Sequence, residues 1–242
     1  MYTDFMPARN VIKAYIADGI YHVYNRGINK SPLFIDRKDY RVFLTILKSY
    51  LIPRDKGKLL TIFANTELPD SVRKQAAKSL RIANYNDTIS LITYCLMPNH
   101  YHLLIKQKNK YDMKEFMRSL SNRYTIYFNT RYKRRSTLFE GTYKAVYVET
   151  DEQLIHVSRY IHRNPVGLEK TLLNTGNKIY DQPSSYPVYL RNINQEWVKS
   201  DIILAHFSPS GYNSYQSFVE DASYGMEEHA AYTLKNIGID NQ

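Results

Sequence analysis

The chain has 242 residues, 43% of them hydrophobic, enough for the core of one large domain; disordered, collagen-like and miniprotein classes are excluded. Its apolar runs, such as 89–97 with Ser90, Thr93 and Tyr94 inside it, fall short of the roughly 20 residues a membrane span needs. A formal charge of +10 asks for an anionic partner, and a single cysteine, Cys95, rules out an internal disulfide.

Met1 to Asn10 lacks the basic start and apolar middle of a secretory signal, so a cytoplasmic location is expected, with no membrane partner. Ile20 to Arg26 is β-branched and aromatic and ends at Gly27, which predicts a strand and a turn. Asp36 is placed to cap a helix whose apolar positions Tyr40, Phe43, Leu44, Leu47 and Leu51 repeat at helical spacing until Pro53. The stretch 52–88 reads as an insertion, with 59–64 a short strand and 70–83 a helix between Pro69 and the polar cluster 84–87. Then 89–96 and 100–106 are strand-like runs joined by Met97, Pro98 and Asn99, a hairpin expected at the centre of the sheet.

In 112–129, Met113, Phe116, Met117, Leu120, Tyr124, Tyr127 and Phe128 follow one helical stripe, off which stand Arg118 and Arg123. A basic connector with Arg131, Lys133, Arg134 and Arg135 leads into a strand within 142–148. Thr150 with Gln153 three residues on is a capping-box pattern, opening a helix over 151–163 that Pro165 and Gly167 stop. This order predicts an α+β fold, a ferredoxin-like antiparallel sheet (βαββαβ) with helices on one face and extra C-terminal helices. The main domain is expected over 1–168 and a C-terminal extension packed on it over 169–242.

Charge is uneven along the chain. Between 106 and 147 eleven Lys or Arg stand against three acids, whereas 217–242 carries five acids and one lysine. Basic residues interleaved with some of the 23 tyrosines suit a nucleic-acid surface, because phosphates take the charge and unpaired bases stack on the rings. The blander alternative is a solvated basic face with tyrosines filling gaps. The acidic end is suited by its charge to fold over the basic surface.

His100 and His102, two apart on a strand, point to the same side at a spacing one metal ion can bridge. On the capped helix His156, Tyr160 and Asn164 stand at i, i+4 and i+8, close to a single stripe, with Leu154, Val157 and Ile161 on the apolar face. If that helix packs beside the hairpin, Asn164 supplies an oxygen to an ion held by the two histidines, and Tyr160 lies one turn away. By spacing alone the histidines can equally be hydrogen-bonded sheet residues, Tyr160 a boundary residue and Asn164 a helix C-cap.

The run Tyr94-Cys95-Leu96-Met97-Pro98-Asn99-His100-Tyr101-His102-Leu103-Leu104 resembles the His-hydrophobic-His (HUH) signature of the single-tyrosine transposases, the insertion sequence 200-like superfamily. Four further stretches agree in order and spacing: Tyr21-His22-Val23-Tyr24-Asn25-Arg26-Gly27, Phe139-Glu140-Gly141-Thr142-Tyr143-Lys144, Arg159-Tyr160-Ile161-His162-Arg163-Asn164-Pro165-Val166 and Pro183-Ser184-Ser185-Tyr186. The second half is similar to the branch called REP-associated tyrosine transposases. Over about residues 20–189 the resemblance implies a ferredoxin-like fold, Mg²⁺ or Mn²⁺ on His100 and His102, and Asn164 as the third ligand. It further implies Tyr160 as the nucleophile that cleaves and rejoins single-stranded or hairpin DNA through a 5′-phosphotyrosine. Many relatives carry glutamine where Asn164 stands, so the shorter side chain requires helix and strand to approach closely. Either a monomer or a homodimer is compatible with it.

On this reading Arg26, Arg118, Arg123, Arg131, Lys133, Arg134, Arg135 and Lys144 are expected against DNA. His22 shares the expected site face with Arg26 and is open between a site role and sheet packing. Tyr124 and Tyr127 compete as nucleophiles, but they sit on an apolar stripe and lack an amide four residues on. Two other classes compete: a domesticated nucleic-acid-binding protein that no longer cleaves, and a metal-dependent phosphodiesterase in which His156 or His162 activates water.

Overall fold

β1 (Ile20–Arg26) is the β-branched, aromatic run; β2 (Ile89–Met97) and β3 (His100–Gln107) form the predicted hairpin, and β4 (Lys144–Val148) closes the far edge. Their order is β2-β3-β1-β4 with every neighbouring pair antiparallel, the ferredoxin-like arrangement. The computed structural model describes residues 15–167 and 182–221. The acidic end beyond 221 lies outside them.

Register sorts the side chains, because residues paired across antiparallel strands share a face. Tyr24 pairs with His102 and with Lys144, Arg26 with His100, and His22 with Leu104 and Val146, so these stand together on one face. Tyr21 and Val23 join Leu103 and Ile105 on the other.

That second face is covered by α1 (Arg37–Leu51) and α4 (Asp112–Arg131). Asp36 caps α1 in a full capping box with Asp39, and Phe43 from its buried stripe meets the rings of Tyr101 at 5.4 Å and Tyr124 at 5.0 Å. The stripe predicted for α4 is buried at Met113, Phe116, Met117, Leu120, Tyr124 and Phe128. Tyr124 donates to the Leu33 carbonyl at 2.7 Å.

One expectation fails in the insertion. Residues 59–64 are no strand but part of α2 (Lys56–Ala64), whose N-terminus is capped by Asp55 and which pairs with α3 (Asp70–Arg81). Leu59 and Ile62 are half-buried at helical spacing, while Leu60 and Phe63 stay exposed.

The turn after β1 depends on a glycine. A Cβ on Gly27 would lie 2.0 Å from the Ser31 carbonyl oxygen, and the Gly27 N–H donates to the Asn99 carbonyl at 2.8 Å. This contact ties the end of β1 to the turn that precedes His100.

α5 (Asp151–Arg163) crosses the first face, and residues from 183 onward wrap the edge of β2. There the Leu96 N–H donates to the Pro183 carbonyl at 2.9 Å, the Ser185 N–H to Tyr94 at 3.0 Å and the Lys199 N–H to Leu91 at 2.8 Å. The extension thereby occupies backbone groups that an edge strand would otherwise offer to another chain. Short helices α6 (Tyr186–Tyr189), α7 (Asp201–Leu204) and α8 (Tyr215–Glu220) follow, and α7 and α8 pack on α5.

Candidate active site

α5 begins where its sequence predicts. The Thr150 hydroxyl accepts the Gln153 N–H at 3.2 Å, and the Gln153 side chain accepts the Glu149 N–H at 2.9 Å instead of closing back on Thr150. Leu154, Val157 and Ile161 are buried, which turns Tyr160 and Asn164 toward the sheet. The Tyr160 ring meets His102 edge-on at 5.5 Å and His22 at 5.8 Å. The Asn164 amide sits between the paired histidines, with Oδ1 3.1 Å from His100 Nε2 and Nδ2 3.3 Å from His102 Nε2. The close approach that the short asparagine requires is therefore present.

On the far side of each ring a second partner waits. His100 Nδ1 is 2.7 Å from Asn99 Oδ1, and His102 Nδ1 is 2.9 Å from His22 Nε2. Burial pushes the pKa of all three histidines down, that of His22 to about 3; at His102 the neighbouring imidazoles add to it, and at His100 the Arg26 cation does. The rings are neutral at pH 7, with lone pairs free for a cation. Burial raises the Tyr160 phenol to about 12, Tyr24 adding to the effect and a hydrogen bond with Asn164 opposing it.

The donor set fits a divalent ion. Two neutral imidazole nitrogens and an amide oxygen with further positions open suit Mg²⁺ or Mn²⁺, not the four closed ligands of structural zinc. The 3.1 Å between His100 Nε2 and Asn164 Oδ1 is close to the spacing of about 3 Å between adjacent ligands on an octahedral ion with bonds of about 2.1 Å. Among the described residues no three His, Cys, Asp or Glu side chains form a metal cluster, so an ion held by His100 and His102 would take its third protein donor from the Asn164 amide.

The predicted DNA-contacting cations divide. Arg26 and Lys144 lie on the site face; Arg26 is paired with Glu140, and the Lys144 ammonium sits 5.8 Å from the centre of the Tyr24 ring. Lys133 and Arg135 are exposed, whereas Arg134 lies 5.4 Å from the centre of the Phe128 ring and donates to Ser136. Arg131 is held by Asp36 at 2.5 Å and by buried Asp39 at 2.6 Å. Arg118 pairs with Glu115, and Arg123 donates to Ser49 and lies 5.4 Å from the Tyr50 ring centre; both are on α4, behind the sheet.

The competing chemistry is not assembled. Tyr124 is buried and Tyr127 donates to Asp39 at 2.8 Å, both on the side of the sheet away from His100. His162 is fully buried, 2.7 Å from the Tyr215 hydroxyl and 2.8 Å from the Ser185 hydroxyl, and the His156 ring packs against Phe218. Neither faces the histidine pair as a base for water.

Sequence reading missed Asn99 and Tyr24 as neighbours of the site. Asn99 was legible only as a turn residue. Tyr24, whose ring is 5.8 Å from that of His102, is set there by the β1–β3 register, which pattern alone does not fix.

Fold and site define a ferredoxin-like domain in which two histidines, one amide and one tyrosine converge between a central strand and a helix. Residues 63–164, which span the hairpin, α4, β4 and α5, match the family model described as "Transposase IS200 like". Among solved structures the chain is similar to a REP-associated tyrosine transposase bound to a REP hairpin, with 13% identity, a TM-score of 0.50, and coverage of 89% of this chain and 96% of that one. At that identity the likeness is one of fold. No curated protein matches the chain. The resemblance carried by the motifs is thereby shown: in sequence over 63–164 to the IS200-like transposases, in fold to a REP-associated one.

Proposed function

We propose that this protein is a metal-dependent tyrosine DNA transposase that cleaves and rejoins single-stranded DNA at hairpin-associated sites. The observation that carries the reading is Asn164, four residues beyond Tyr160, with its amide within 3.1 and 3.3 Å of ring nitrogens of His100 and His102. Those three side chains would hold Mg²⁺ or Mn²⁺, which when bound polarises the scissile phosphate and offsets charge gathering on it.

Tyr160 supplies the nucleophile. Its Oη attacks phosphorus, the bond from phosphorus to the 3′-oxygen breaks, and a 5′-phosphotyrosine remains while the departing 3′-oxygen ends with a proton equivalent to the one the phenol releases. In the reverse step a 3′-hydroxyl attacks the phosphotyrosine and Tyr160 regains a proton. The covalent link conserves the free energy of the phosphodiester, so rejoining requires no nucleotide cofactor. Arg26 and Lys144 flank the site and hold backbone phosphates, and exposed Lys133 and Arg135 extend that contact.

The test is a denaturing gel of the protein with labelled single-stranded hairpin DNA from the flanks of its own gene, with Mn²⁺ or with chelator. A covalent adduct that requires the metal and is lost in Asn164→Ala supports the reading. Cleavage without an adduct would mean hydrolysis, and hairpin binding with neither would mean a protein that only binds.

A further inference from the structure

His22 is buried on β1, with the rings of Tyr24, His102 and Tyr160 at 5.2, 5.1 and 5.8 Å. Its Nε2 is 2.9 Å from His102 Nδ1, and its own Nδ1, equally buried, meets no hydrogen-bonding partner among the described residues. A neutral imidazole carries one N–H and one bare nitrogen, so only two arrangements exist. In one, His102 donates from Nδ1 to His22, leaving His102 Nε2 bare toward Asn164 and placing the His22 proton on its isolated Nδ1. In the other, His22 donates from Nε2, and the proton of His102 sits on Nε2, closing that nitrogen to a cation.

His100 indicates which arrangement serves the site. Its Nδ1 faces Asn99 Oδ1 at 2.7 Å, an acceptor, so the proton belongs on Nδ1 and Nε2 is bare. That bare nitrogen lies 3.1 Å from Asn164 Oδ1, a second acceptor. Two acceptors facing each other at hydrogen-bond distance are stabilised by a cation between them.

We propose that His22 is a positioning residue for the metal centre: its Nε2 accepts the Nδ1–H of His102 and so keeps the Nε2 lone pair of His102 turned to the ion, as Asn99 does for His100. The inference rests on the reading of His100, His102 and Asn164 as ligands. An acceptor behind a ligating imidazole fixes its tautomer and ring plane and raises its basicity. The unpartnered Nδ1 of His22 is where the displaced proton resides.

The test is Mn²⁺ binding to the full chain without DNA, read by electron paramagnetic resonance of the free ion, in wild type, His22→Met and His22→Gln. Met fills the space with only a weak thioether acceptor, whereas the Gln side-chain oxygen reaches the position of Nε2. Loss of an outer-shell partner weakens binding roughly 10- to 100-fold, so that loss is expected in His22→Met, with His22→Gln within a few-fold of wild type. In metal-free wild type, ¹⁵N NMR should find the proton of His102 on Nδ1 and that of His22 on Nδ1. Wild-type affinity in a folded His22→Met, or a proton on His102 Nε2, would overturn the proposal. If His22→Met does not fold, the NMR result and His22→Gln decide. If wild type itself binds no Mn²⁺, the metal reading fails and the role proposed for His22 fails with it, an outcome distinct from wild-type affinity in a folded His22→Met.

Discussion

Asp39 and Arg131 form an ion pair that holds one cation of the basic connector inside the fold. Asp39 is fully buried, yet it accepts from the Ile35 N–H at 2.8 Å, from Tyr127 and Tyr132 at 2.8 Å each, and from Arg131. Burial alone would raise its carboxyl; these donors together hold it below the ordinary range. Asp39→Ala strands several part-buried donors and should cost about 1 to 3 kcal/mol, read as a lower urea midpoint. Arg131→Ala should likewise lower the midpoint while leaving single-stranded DNA affinity close to wild type, and Arg135→Ala should do the reverse. In the sequence these arginines belong to one basic connector and cannot be told apart. Only the fold brings α1 beside Arg131.

At the scale of elements, α1, α4 and α5 were legible because each joins a capping signal or a long apolar stripe to a single buried face. α2 was not. Its Leu-Leu-Thr-Ile-Phe run favours a strand locally, and what makes it helical is Asp55 at its start and α3 packed against it. The pairing of α5 with the C-terminal extension was equally hidden. Ser158 donates to Ile155 at 2.7 Å and Tyr215 donates to Ser158 at 3.1 Å, while His162 Nδ1 lies 2.7 Å from the Tyr215 hydroxyl and its Nε2 2.8 Å from the Ser185 hydroxyl, which itself reaches the Tyr94 carbonyl at 3.3 Å. Burial holds the His162 pKa at about 3, below the 6.5 of an exposed ring, so the unfolded state binds the extra proton between those values. The contribution of His162 is complete above about pH 6.5 and is lost as pH falls toward 3, by up to about 1.4 kcal/mol per pH unit. Urea midpoints measured from pH 7 to pH 4 should fall, and they should fall less steeply in His162→Gln. Equal slopes would contradict the buried neutral ring.

For the whole molecule, the sheet separates two tasks. Its α1/α4 face is core, and its other face carries the histidines under α5, so the tyrosine is delivered by a helix anchored in turn by the extension. The signature motifs made this site readable, since each motif falls on an element that reaches it; Asn99 as a partner of His100 emerges only from the turn geometry, and the contact of His22 with His102 that the sequence left open comes from the strand register. No described helix is long and apolar enough to cross a membrane. In the proposed function, exposed Lys133 and Arg135, with Lys144 beside the site, are the cationic approach to DNA. Replacing all three by alanine should flatten the dependence of log affinity on log salt by about 2, from roughly 0.7 per phosphate contact on a single strand. An unchanged slope would place the DNA elsewhere.

The most direct measurement compares wild type with Tyr160→Phe on a hairpin-bearing single strand in Mn²⁺, with the labelled peptide from any covalent adduct identified by mass spectrometry. Tyr160 as nucleophile predicts a 5′-phosphotyrosine on Tyr160 and no adduct in a folded Tyr160→Phe. An adduct that survives in that variant, or maps to Tyr124 or Tyr127, would contradict it.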